Sequence, residues 1–181
     1  MTPVTSRDEL VEFIPPGSPR SYTLAPLTYR QRQAFRADMA REGGIYPSRG
    51  QLLETIRRVV RELAPSNAAE LLEMVDAAEA DAPGDDADLQ NRLSGLEASI
   101  ATQPAYAALV AARVQYTGMI PFVAARHALR GWEGPGLPDF ARDARGLVPE
   151  DLLEGIPQAE LQAIGNKAAD LMQPAEAASG N

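Results

Sequence analysis

The sequence predicts a mainly α fold: a compact helical bundle of about seven helices with a short N-terminal β-hairpin. Three observations predict it. Apolar residues recur three and four apart over most of the chain, the stretches are bounded by Pro, Gly and Ser/Thr/Asn, and period-two alternation is confined to residues 11–24.

The hairpin comes first. Val11 and Phe13 flank Glu12, and Tyr22 and Leu24 alternate with Ser21 and Thr23. Between them Pro15-Pro16-Gly17-Ser18-Pro19 breaks the strand. A lone hairpin is marginal in water, so this one must pack on helices or on a partner. Pro26 has no N–H to give a neighbour, which predicts an edge position for the second strand.

Thr28 and Gln31 have capping-box spacing and open a helix running to about Glu42, where Gly43-Gly44 stops it. Ser48 and Gln51 repeat the spacing before Leu52, Ile56, Val59, Val60 and Leu63. Pro65 breaks that helix, and Asn67 with Glu70 starts another, with Leu71, Met74, Val75 and Ala78 on one face. Residues 80–88 read as an acidic, solvated hinge. Leu89, Leu93, Leu96 and Ile100 form one stripe of a bundle rather than a coiled coil, since they span barely two heptads.

Pro104 opens the longest apolar helix, to about Leu129, which Gly118 and Pro121 should kink or split and Gly131 should stop. Trp132 to Gly146, rich in Gly and Pro, reads as irregular. Pro149 opens a short helix with Leu152 and Leu153, and Pro157 opens the last one, with Leu161, Ile164, Ala168 and Leu171 as its stripe. The expected organisation is one helical domain over residues 1–174 and a disordered tail over 175–181.

Composition narrows the function classes. The chain has 181 residues and no cysteine, which excludes disulfides and thiolate zinc sites. No run of about 18 wholly apolar residues is visible, so no membrane span is expected. Met1 to Leu10 is polar, unlike a secretory signal, and the expected location is the cytoplasm. Net charge is −8, with residues 64–104 holding nine acids against Arg92 alone. That balance argues against non-specific binding to nucleic acid, whose phosphates require cations.

No catalytic constellation is visible in the sequence. His127, the one histidine, follows Arg126 near a helix end, where a structural role is the expectation. Asp85-Asp86 and Glu150-Asp151 read as solvated charge or helix-start acids. No HExxH pattern and no phosphate loop is present, so neither metal nor cofactor is expected, and the chain reads as a non-enzyme. Eight arginines (Arg30, Arg32, Arg36, Arg41, Arg49, Arg57, Arg58 and Arg61) lie on two consecutive helices. A broad apolar stripe on the second weighs against a helix-turn-helix, and pairing with the acidic middle of the chain or an acidic partner is favoured.

The run Tyr22-Thr23-Leu24-Ala25-Pro26-Leu27-Thr28-Tyr29-Arg30-Gln31-Arg32 is similar to the Tyr-x-Leu-x-Pro-Leu-Thr-x-x-Glu-Arg opening of tail assembly chaperones from long-tailed, siphovirus-like phages and prophages. Arg130-Gly131-Trp132-Glu133-Gly134, then Leu137-Pro138 and Phe140, then Val148-Pro149 and two amphipathic helices, resemble the later part of that family. The resemblance covers most of the chain, with residues 76–88 least matched.

It implies a protein of the host cytoplasm that binds the tape measure protein and keeps it soluble while tail tube subunits assemble around it. It also implies contact with the tail tube protein and allows self-association. A chaperone of a helical client needs apolar grooves rather than a reaction centre. The candidate partner-facing residues are Phe35, Met39, Tyr106, Tyr116, Met119, Phe122 and Trp132. Two other classes stay open: a structural virion protein such as a connector or minor tail component, and a DNA-associated regulatory helical domain.

Overall fold

The computed structural model describes residues 10–63, 65–81 and 85–172, so the expected tail at 175–181 lies outside the described residues. Among them are seven helices and three strands, and the mainly helical expectation holds. The chain forms two compact units: unit 1 comprises Met1–Gly44 and Tyr116–Asn181, and unit 2 comprises Ile45–Gln115. Unit 2 is thus an insertion into the sequence of unit 1. The acidic segment 80–88 falls inside unit 2 and does not separate the two.

Unit 1 carries the sheet. Strands β1 (Val11–Phe13), β2 (Ser21–Leu24) and β3 (Leu129–Glu133) lie in the order β1-β2-β3, with both pairings antiparallel. Tyr22 faces Phe13 on one side and Trp132 on the other. The expectation that β2 is an edge strand is overturned. Pro26 lies past the last β2 residue, so its missing N–H removes nothing from the ladder. The expectation of irregular chain from Trp132 also fails at its start, because Trp132 and Glu133 belong to β3. Leu129 and Trp132, buried within that strand, are what draw it onto β2.

Helix α1 (Tyr29–Glu42) starts where the capping box placed it. Thr28 Oγ1 accepts from the Gln31 N–H at 3.3 Å, and the Thr28 N–H donates to Gln31 Oε1 at 2.9 Å. Helices α6 (Glu150–Glu154) and α7 (Gln158–Met172) close the unit. Its core gathers Tyr22, Leu24, Leu129, Val148, Leu153 and Ile164, with Phe35, Phe122 and Phe140 packed at the margin.

Unit 2 holds α2 (Arg49–Leu63), α3 (Ala68–Ala80) and α4 (Ala87–Ser99). Leu52, Ile56, Val59, Val60, Met74, Val75, Leu93 and Leu96 pack together, as their spacing predicts. Asn67 sits at the α3 N-cap but makes no side-chain capping bond, against expectation. Asp81 draws the two described ends of the acidic segment together: its carboxylate accepts from the N–H groups of Asp85 and Asp86 and from Gln90 Nε2.

Helix α5 (Pro104–Ala128) gives its first half to unit 2 and its remainder to unit 1. It is continuous through Gly118 and Pro121, so the expected split does not occur. A proline removes only its own N–H from the ladder. The turns after it are anchored by Val123, Ala124, Ala125 and Ala128, all fully buried. By length and composition alone this 25-residue helix is apolar enough to cross a bilayer. In unit 1 its last turns are core instead, and Arg126 and His127 on them are paired with acids.

Candidate functional site

The basic stretch is partly consumed within unit 2. Arg57, only 9% exposed on α2, holds Asp76 at 2.7 Å and also Glu79, both on α3. Arg49 donates to the Ala78 and Asp81 carbonyl oxygens at 2.6 and 3.0 Å. A cation there satisfies orphan carbonyls and the negative end of the α3 dipole. These two arginines thus bind α2 to α3.

The same three helices leave a cleft open. A depression of about 510 Å³ lies between them, floored by Val60, Leu71, Met74, Leu96 and Ile100. Leu63, at the C-terminal end of α2, lines it too and is 52% exposed. Glu70 and Arg92 face each other at 3.5 Å on its rim. Both are about half exposed or more, so the pair contributes ~1 kcal/mol at most. Elsewhere on unit 2, Ile45 is 81% exposed and Val114 65%. The stripe pattern of α2 predicted Leu63 as core, and the end of the helix at that residue is what leaves it uncovered.

The seven candidate partner residues distribute unevenly. Met39, Tyr106 and Trp132 are core residues, at 1%, 5% and 9% exposure, and offer no surface as folded. Burial and then the Glu97 carboxylate push the Tyr106 phenol up to about 12. Trp132 Nε1 donates to the Pro138 carbonyl at 2.7 Å, and its ring meets Phe140 edge-on at 4.8 Å. That contact explains why Leu137, Pro138 and Phe140 follow Trp132 so closely. Phe35 and Phe122 are half-buried against the unit 1 core, and Tyr116 and Met119 are half-buried on α5. Of the seven, Tyr106 belongs to unit 2 and the other six to unit 1.

Unit 1 contains a polar network that spacing alone did not reveal. Asp38, 1% exposed on α1, accepts from His127 Nε2 of α5 at 3.0 Å. Arg145 Nη2 bridges both Asp38 oxygens at 3.1 Å, and Arg41 reaches Oδ1 at 2.9 Å. Burial alone would raise the Asp38 pKa, but the bonds from His127 and Arg145, with the charges of Arg145 and Arg41, hold it below the usual range. Burial dominates at His127 and lowers its pKa despite Asp38. The imidazole is therefore neutral near pH 7 and gives its Nε2–H to the carboxylate. Phe35 meets the His127 ring edge-on at 5.9 Å.

Alongside, Arg126 Nη1 holds Glu150 at 2.7 Å and Glu42 at 3.2 Å, tying α5 to α6 and to the end of α1. A third group joins the sheet to α7: Glu160 accepts from Tyr22 Oη at 2.6 Å and from Arg20 Nη1 at 2.7 Å. Burial and the Glu160 carboxylate push the Tyr22 phenol well above its ordinary range.

Chemically, the Asp38–His127 pair is an orienting contact. His127 makes no contact with a hydroxyl among the described residues, and no group of three or more metal-ligating side chains occurs among them. In comparisons with known proteins, no family model, no curated protein and no solved structure matches this chain.

Proposed function

We propose that this protein is a phage tail assembly chaperone that holds the tape measure protein soluble while the tail tube assembles, and that the unit 2 cleft receives an amphipathic helix of that client. The open cleft between α2, α3 and α4 carries the reading. An amphipathic helix lays anchors at i, i+3, i+4 and i+7 into such a groove, and no reacting group is required. Among the described residues the only charged ones lining the cleft, Glu70 and Arg92, face each other on the rim and leave the floor to the apolar face of such a helix. The resemblance of Tyr22–Arg32 to the family's opening adds support, since this run forms β2 and the capped start of α1.

The test is co-expression with the tape measure protein, comparing its soluble fraction and its recovery through a tag on this chain. Wild type should raise both. Leu63→Asp should abolish recovery while leaving the chain folded, because Leu63 is already half exposed. A client that stays insoluble with wild type would overturn the reading. Retention of this chain in purified particles would favour a structural tail component instead.

A further inference from the structure

In unit 1 a second, smaller pocket of about 70 Å³ adjoins the polar network. It lies between the first turns of α1, His127 on α5 and the turn at Arg142–Leu147, and Gln31, Arg142 and Arg145 line it. We propose that this pocket binds one small oxyanion of the phosphate class, either free or borne by a small molecule.

Unused donors line the pocket. Arg145 spends only Nη2 on Asp38, leaving Nε and Nη1 with no protein acceptor among the described residues. Arg142 has no hydrogen-bond or ion-pair partner among them. Gln31 uses Oε1 to cap Thr28, so its amide Nε2 is also unspent. Two guanidinium forks and an amide match a polyoxygen anion, because each fork can donate two parallel bonds.

Asp38 engages Nη2 of Arg145 and leaves its Nε and Nη1, Arg142 and the Gln31 amide without an acceptor among the described residues. Asp38 is already shared by His127, Arg145 and Arg41. Asp143 is occupied by the backbone N–H groups of Arg145 and Leu147, at 2.8 Å each. Nearby Arg130 is half-buried, donates only to carbonyl oxygens, and has its pKa pushed down to about 10 by burial and by Arg142. With Asp38 and Asp143 already engaged, Arg142 and the remaining Arg145 donors stay open to an anion.

The pocket is also preorganised. The Asp143 carboxylate, the Asp143 N–H to Leu147 O bond at 2.8 Å and Gly146 at φ 77° fix the turn that carries both arginines. The left-handed conformation favours glycine there. A volume near 70 Å³ admits one small ion and excludes a nucleotide base.

The experiment is calorimetric titration of the full chain with inorganic phosphate, against sodium chloride at matched ionic strength. Arg142→Gln removes an exposed side chain, and Arg58→Gln on α2 is the control for general charge loss. Saturable phosphate binding that weakens about tenfold or more in Arg142→Gln, the size of one charge-assisted bond, and is unchanged in Arg58→Gln, supports the site. A small phosphate monoester binding more tightly than phosphate assigns the ion to a larger ligand, and equal affinity assigns the free ion. Equal response to phosphate and chloride, or equal weakening in both variants, overturns the proposal. Client binding is read on other residues in unit 2, so either outcome leaves that reading to its own test.

Discussion

His127 Nε2 lies 3.0 Å from Asp38 Oδ2, and both side chains are 2% exposed. The contact crosses 89 residues of sequence and fastens α1 to α5 inside unit 1. Protonating His127 there means charging a buried imidazole whose pKa the fold has lowered.

The first prediction follows by linkage. A folded pKa below the unfolded one means the unfolded chain binds more protons, so stability rises with pH across the gap. The His127 contribution is complete above about 6.5 and is lost as pH falls below that value toward the folded pKa. Asp38, also lowered, has the same sign, its loss setting in below 3.8. Since the chain has one histidine, melting temperature should decline as pH falls below about 6.5, and His127→Gln should flatten that decline. An equally steep decline in the variant would disprove the assignment.

Removing the acid should be harsher than removing the base. Asp38→Ala leaves Arg145 and His127 without their shared acceptor, and should destabilise by about 3 kcal/mol in urea titration. A loss under about 1 kcal/mol would mean that water replaces the carboxylate.

Gly165 makes a backbone contact that no side chain could allow. A Cβ on it would sit 2.1 Å from the Pro121 carbonyl oxygen and 2.4 Å from the Pro121 Cα. Gly165→Ala must therefore push α7 off α5, at a cost of about 1–3 kcal/mol. A neutral or stabilising outcome in denaturant titration would show that the helices do not pack this closely. In an exposed helix the same change should stabilise.

The α1 cap gives a milder prediction. Thr28→Ala removes the acceptor for the Gln31 N–H and should lower stability by about 1 kcal/mol. Thr28→Ser should restore most of it, and failure to do so would point to the lost methyl group rather than to the cap.

Helix starts and stops were legible where the signal was local. The capping boxes at Thr28 and Ser48, the breaks at Gly43 and Pro65, and the stripes of α2, α4 and α7 needed only neighbours in sequence. The third strand was not legible, because Leu129 to Glu133 reads as a helix end, a glycine stop and irregular chain until β2 offers it a partner. Asp38 was hidden for the same reason. A charged residue beside Met39 looks solvent-facing until His127 and Arg145 arrive from far along the chain. Aromatic content misled the choice of partner residues: Tyr106 and Trp132 are large enough to bind a client and equally suited to a core, and only burial separates the two. Leu63, the residue that opens the cleft, gave no signal beyond its place at the end of a stripe.

The central position of β2 also has a temporal side. Tyr22 leaves the ribosome more than a hundred residues before Trp132, its partner in the sheet. At roughly 5–20 residues per second the nascent hairpin waits roughly 5–20 s for its third strand. The inserted α2–α4 segment is complete well before that, so synthesis favours maturation from the middle of the chain outward. The chain would pass through a vulnerable interval at birth, and slow translation near Leu129 would lengthen it.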